Sequence, residues 1–190
     1  MSVVVVARWR ARPGQEAALV AGALSLWKEF YGSPEPCVFQ SIEDPAAVMY
    51  IDEWNRRGEY LLRQSAIPAR LDAICEAPVE RTYYRPLHDY RPVSGSSPVV
   101  GASVFQAPPS AVTTTLTYLA EQLAPRIEGL PGCLRRAVYQ DLDDPGRVLV
   151  ITGWRSVEDR REALRGMLQR ADTVLVPLGT RIERFNARTA

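Results

Sequence analysis

One histidine, His88, stands in the 190 residues. A single histidine builds no multi-histidine metal site, and a serine–histidine triad would have to recruit it from a polar stretch beside Asp89 and between Pro86 and Pro92. It reads as a surface residue. Cysteine is scarce too: Cys37, Cys75 and Cys133 lie far apart, with no CxxC pair. Neither a zinc knuckle nor a disulfide framework follows, and inert thiols in a reducing compartment are expected. Charge of one sign is missing, with 23 Lys+Arg against 22 Asp+Glu and no basic stripe. A nucleic-acid partner is therefore not expected. No apolar run reaches the roughly 20 residues of a membrane helix. The start, MSVVVVARWR, places its apolar run before its arginines, the reverse of a secretion signal. A cytoplasmic protein without a membrane partner is the expectation. No GxGxxG follows a strand, so no flavin or nicotinamide fingerprint is visible.

What is present is said twice. DPAAVMYIDEW (44–54) returns as DPGRVLVITGW (144–154), with Asp, Pro, Val, Ile and Trp identical at matched positions. Ordinary composition predicts fewer than about one such match in so short a window. Upstream, FQSIED (39–44) meets YQDLDD (139–144), and each half opens on a β-branched run, VVVVARW (3–9) and VVGASVF (99–105). The chain is an internal duplication with a period near one hundred residues. The first repeat is expected over 1–90 and the second over 99–190, joined by a linker at 91–98. Around that linker, LHDYRPVSGSSP (87–98) loses apolar periodicity.

Within the first copy the pattern predicts a strand at Val3–Arg10 and a helix from Gln15 to Tyr31, with Leu19, Ala23, Leu26, Trp27 and Phe30 on one face. Strands follow at Val38–Ile42 and Val48–Trp54, joined by the Asp-Pro turn. A second helix is expected over Arg57–Ile74 and a last strand over Val79–Arg85. The second copy repeats the order at Val99–Phe105, Ala111–Ile127, Leu134–Gln140, Val148–Trp154, Val157–Leu175 and Thr180–Asn186. The Arg-rich segment Arg155–Arg170 is interleaved with Glu158, Asp159 and Glu162, which reads as a solvated helix face with i,i+4 pairs.

Strand, helix, strand, strand, helix, strand is a split βαβ arrangement, an antiparallel sheet with two helices on one face. Its third strand does not alternate polar with apolar residues: Val48, Met49, Tyr50 and Ile51 match Val148, Leu149, Val150 and Ile151. Both faces must then be covered. The fold class expected is α+β, two ferredoxin-like βαββαβ repeats packed sheet-to-sheet as an intramolecular dimeric α+β barrel. An exposed strand edge in each half makes a homodimer plausible.

The βαββαβ order, the acidic Asp-Pro turn and a strand ending in Trp before a helix resemble the antibiotic biosynthesis monooxygenase family of the dimeric α+β barrel superfamily. The resemblance covers both halves and implies a tandem member. Oxygenases of that family line their pocket with an asparagine, a tryptophan four residues later and a tyrosine six beyond it. Here Trp54 and Tyr60 keep that spacing and Tyr50 takes the asparagine position; in the second copy Trp154 stands with Val150 and Arg160. A second equivalent site is thereby put in doubt. Heme-degrading members carry a histidine ten residues after the tryptophan, where this chain has Gln64 and Leu164.

By its own residues, strand three places Trp54, Asp52, Tyr50 and Val48 on one face. If that face lines a cavity, it offers aromatic walls for a planar substrate and one carboxylate, Asp52, whose desolvation would suit it to act as a base. Tryptophans packing helix two on the sheet edge are the plainer alternative. Of Tyr83 and Tyr84, one must point inward; Tyr84 is taken as a substrate contact together with Tyr50, Trp154 and Arg160. Trp54, Tyr60 and Asp52 are the candidate catalytic residues, with no metal and no cofactor.

The function this implies is a cofactor-independent monooxygenase acting on an anthrone-like or phenolic aromatic polyketide in natural-product biosynthesis, with dioxygen as co-substrate. A polyketide cyclase or isomerase using acid–base groups alone, and a non-catalytic binder of a hydrophobic aromatic molecule, are the alternatives.

Overall fold

The structure is a computed structural model and describes residues 2–31, 38–54, 57–58, 71–90 and 97–189. The chain divides into two compact units, residues 1–85 with 187–190, and residues 86–186.

In the first unit β1 (Val3–Arg10) leads through a turn at Gly14 into α1 (Glu16–Tyr31), then β2 (Val38–Ser41), β3 (Ala47–Trp54) and β4 (Glu80–Tyr90). The sheet order is β4-β1-β3-β2, all antiparallel, and residues 187–189 of a later strand border β2. Valine at four successive positions commits β1 to extended backbone, since branched side chains fit a pleated surface better than a helix. One face of the sheet packs on α1: Ala7, Trp9, Val48 and Tyr50 meet Leu19, Ala23 and Leu26. The opposite face is buried as well, at Val4, Val6 and Met49. That accounts for the missing alternation.

The second unit repeats the plan. β5 (Val99–Gln106) is followed by a helix in three parts, α2 (Val112–Thr117), a π turn (Tyr118–Leu123) and α3 (Ala124–Glu128). Then come β6 (Cys133–Asp141), β7 (Arg147–Trp154), α4 (Val157–Leu164), α5 (Met167–Leu175) and β8 (Arg181–Thr189). β7 lies between β5 and β6, antiparallel to both. Phe105, Val138, Val148, Val150 and Trp154 pack against the helices through Leu119, Leu123, Ile127, Leu164 and Leu175.

The fold class is α+β, built from two ferredoxin-like repeats. Three expectations change in detail. The last strand of the first copy runs to Tyr90 rather than Arg85, so Leu87–Tyr90 continue it although apolar periodicity lapses there. Pairing with β1 ends at Tyr84, so Pro86 interrupts no bond of that ladder. The helix expected at Ala111–Ile127 widens into a π turn just before Pro125, which has no N–H to give and whose ring crowds the carbonyl four residues back. The helix expected over Val157–Leu175 is two helices, because Gly166 turns left-handed at φ 81° between them. Most of the helix expected over Arg57–Ile74 lies outside the described residues, as do Cys37 and the side chains of Trp27 and Phe30.

Candidate functional site

Strand register assembles the first-repeat site. Trp54 sits opposite Val3, Asp52 opposite Val5 and Tyr50 opposite Ala7, all on the face that meets α1. Trp9 closes the row, its ring edge-on to Tyr50 with centroids 6.3 Å apart. The Tyr50 hydroxyl donates to Asp52 Oδ2 at 2.7 Å, and the Glu53 backbone N–H donates to Oδ1 at 2.9 Å. Burial pushes the Asp52 carboxyl above its ordinary range. Hydrogen bonds from Tyr50, the Glu53 backbone and Trp54 pull the other way, while the neighbouring Glu53 charge adds to the rise. Desolvation is the larger effect, and it makes Asp52 a stronger base than a surface aspartate once ionised.

On the other side of β1, Val5 pairs with Tyr83, which places Tyr83 in the same row as Asp52. The Arg57 guanidinium lies 4.1 Å above the Tyr83 ring. Tyr84 pairs with Val4 and lies on the opposite face, fully buried and apart from Asp52 and Trp54. Tyr60 lies outside the described residues. The structure thus brings together Tyr50, Asp52 and Trp54, and adds Tyr83.

The second repeat has the same frame with different chemistry. Trp154 is fully buried opposite Val99; Val150 stands where Tyr50 does and Thr152 where Asp52 does. The Thr152 hydroxyl donates to the Gly101 carbonyl at 3.3 Å. Arg160 reaches back over Gly101, so that a Cβ on that glycine would sit 2.7 Å from Nε and 2.9 Å from Nη2. Its guanidinium donates to Asn186 Oδ1. Opposite Thr152 on the other side is Arg136, its side chain wholly excluded from solvent, paired with Glu128 and 3.5 Å from His88 Nε2. Burial lowers the Arg136 pKa, partly countered by Asp89. Where the first repeat half-buries a carboxylate, the second buries a cation, Arg136.

Sequence reasoning passed over Arg136 and Gly101. The adjacent arginines Arg135 and Arg136 in an apolar strand held the hint, since period two turns one of them inward. His88 is exposed, as expected, and Arg155 pairs with Asp159 at 3.0 Å in the anticipated i,i+4 manner. Among the described residues no group of His, Cys, Asp or Glu is arranged to hold a metal, and no helix is long and apolar enough to cross a membrane.

Residues 99–170 match the family model described as antibiotic biosynthesis monooxygenase. The second repeat belongs to the antibiotic biosynthesis monooxygenase family. The first repeats its strand and helix order and its Asp-Pro to Trp segment, which is consistent with a tandem duplication of that domain. No curated protein matches the chain in sequence. Solved structures share the fold over nearly the whole length. A monooxygenase candidate from Fusobacterium nucleatum subsp. nucleatum superposes with a TM-score of 0.79 at 8% identity, covering 98% of this chain and 91% of its own. An anthrone oxidase-like protein gives 0.71 at 11% identity, covering 100% and 91%. A heme-degrading enzyme from Listeria monocytogenes gives 0.60 at 11% identity, covering 96% and 97%. At such identities the likeness is one of fold.

Proposed function

We propose that the first repeat is a cofactor-independent monooxygenase site that oxidises an anthrone-like or phenolic aromatic molecule. The observation that carries the reading is the half-buried Asp52, held by the Tyr50 hydroxyl on the face it shares with Trp54. The match of residues 99–170 to the antibiotic biosynthesis monooxygenase model, whose strand and helix order the first repeat shares, and the fold shared with an anthrone oxidase-like protein support an oxygenase reading.

In this reading Asp52 removes a proton from the activated carbon of the substrate. The electron-rich anion that results reduces dioxygen directly. One oxygen atom stays on that carbon, converting CH2 to C=O, and the other leaves as water. Trp54 and Tyr50 donate hydrogen bonds, Tyr60 is a further proposed donor, and Trp9 and Tyr50 supply flat walls for a planar ring. A positioned base of this kind contributes about 10²- to 10⁴-fold. The site lies in the first copy because Thr152 and Val150 give the second copy neither base nor phenol.

The test is oxygen uptake by purified protein mixed with a dihydroxy-anthrone. Uptake above the substrate's autoxidation, lost in Asp52→Asn and Trp54→Phe, is the expected result. Product formed equally well without oxygen would instead identify a cyclase or isomerase, and tight binding without turnover a binding protein.

A further inference from the structure

Tyr50 reaches Asp52 by leaning along its own strand. The register of β1 against β3 lays out three rows on this face: Trp9 with Val48, Ala7 with Tyr50, and Val5 with Asp52. The Tyr50 hydroxyl crosses from the middle row into the last, where it donates to Asp52 Oδ2 at 2.7 Å. Trp9 stands in the first row, diagonal to Tyr50 and on the side away from Asp52. Its ring meets the Tyr50 ring edge-on, with centroids 6.3 Å apart and planes at 61°. Directly across from Tyr50 is Ala7, whose methyl group is too small to hold a phenol to one side. The space into which the Tyr50 ring would fall back is filled by the indole.

The second repeat is a control within the same chain. Phe105 pairs with Val148 as Trp9 pairs with Val48, while Val150 and Thr152 replace Tyr50 and Asp52. A phenyl ring therefore serves that position where only packing against the helices is asked of it. The first repeat has indole there although its Nε1 is buried with no hydrogen-bond partner. An unpaired buried donor is a cost that phenylalanine would avoid, and such groups call for an account. Packing alone does not supply one; support of the phenol does.

We propose that Trp9 is a positioning residue of the first-repeat site, holding the Tyr50 ring forward so that its phenol stays bonded to Asp52. The inference rests on the reading of Asp52 as the base and adds a residue that acts on it through Tyr50. The bond so secured opposes the desolvation that raises the Asp52 pKa, and favours the ionised carboxylate. With Oδ2 bound by Tyr50 and Oδ1 by the Glu53 N–H, the carboxylate is fixed in one orientation. Each oxygen still keeps a lone pair for a substrate proton. Among the described residues, the ionisable groups facing this pair from β4 are Arg81 and Tyr83, in the rows of Tyr50 and Asp52, with Arg57 over the Tyr83 ring. Glu53 is the neighbouring charge on β3, and α1 presents Leu19, Ala23 and Leu26. A substitution at Trp9 changes none of them.

The experiment is carbon-13 NMR titration of the Asp52 carboxyl in the full chain, for the unaltered protein, Trp9→Phe, Tyr50→Phe and the double variant. Trp9→Phe should move the Asp52 pKa upward, as Tyr50→Phe does, because each removes a hydrogen bond that favours the ionised form. In the Tyr50→Phe background, Trp9→Phe should cause no further shift. Trp9→Tyr, with the same expectation, replaces Trp9→Phe if that variant does not fold. These titrations need no turnover, so coupled shifts without oxygen uptake would remove the oxygenase reading and leave Trp9 in its role. With a dihydroxy-anthrone that is turned over, kcat should fall about tenfold or more in Trp9→Phe, with KM changed less than about twofold. An Asp52 pKa left in place by Trp9→Phe, or a shift that persists without the Tyr50 phenol, would overturn the proposal. So would a rise in KM with kcat unchanged, the mark of a wall that only binds.

Discussion

The Tyr50 hydroxyl donates a 2.7 Å hydrogen bond to Asp52, two residues further along the same face of β3. The phenol and the carboxylate thus form a unit built on one strand, and no loop movement is needed to assemble it. Rigid elements hold catalytic geometry better than loops.

Replacing Asp52 by asparagine separates its cost to folding from its use. Burial holds the folded carboxyl above its ordinary value of 3.8. Its contribution to stability is therefore greatest below that pH and falls as pH rises through the raised folded value. Asp52→Asn should be the more stable protein at pH 7, with the gap closing as pH drops toward the unperturbed value. Thermal unfolding at several pH values checks this, and an opposite trend would remove desolvation as the dominant cause. Oxygen uptake should be lost in the same variant.

Trp54→Phe retains the aromatic wall and removes the indole N–H. Loss of one preorganised donor costs about 10²- to 10³-fold where it stabilises developing negative charge. Turnover of a dihydroxy-anthrone should drop by about that factor while the circular dichroism spectrum stays the same. Unchanged turnover would show that Trp54 only packs.

Gly101 and Arg160 should behave as a coupled pair. Gly101→Ala pushes a methyl group against the Arg160 guanidinium, 2.7 Å from Nε, and against Thr152 Oγ1 at 3.0 Å. The flexible arginine can withdraw, so a cost of about 1 kcal/mol is expected. In an Arg160→Met background the cost should shrink, leaving a coupling of about 0.5 kcal/mol or more. Denaturant unfolding of the four proteins of the cycle measures it.

Gly132 tolerates less. It is left-handed at φ 79°, and a Cβ there would lie 2.6 Å from the Cβ of Asp159, whose backbone N–H is bound by the capping hydroxyl of Ser156 at 3.0 Å. Backbone strain and a contact with little freedom to relax act together. Gly132→Ala should cost about 2–3 kcal/mol, seen as a lowered unfolding midpoint.

Much of this architecture is legible from residue pattern. The valine run of β1 and the strand ending in Trp154 were bounded closely, because branched residues and flanking turns act locally. The features that escaped depend on neighbours. Pro86 looks like a terminator, yet it lies beyond the last residue paired with β1, where a missing N–H breaks no bond of that ladder. Gly166 splits one expected helix in two because Arg165 already leaves helical geometry at ψ 118°. Period two says that one of Tyr83 and Tyr84 turns toward the helices; register with Val5 selects Tyr83. For Arg136, sequence gives the inward arginine but not Glu128, which arrives from the helix before it.

β8 leaves one debt to be settled during synthesis. Its residues 187–189 pair with Phe39, Gln40 and Ser41 of β2, and Phe39 meets Thr189, 150 positions later in the chain. A ribosome making this protein exposes β2 long before that partner exists, so the strand waits with one side bare while the entire second copy is translated. Bare strand edges recruit other chains. A gene cut at the junction between the copies would make that wait permanent, which ties the two halves of the duplication to a common fate in expression.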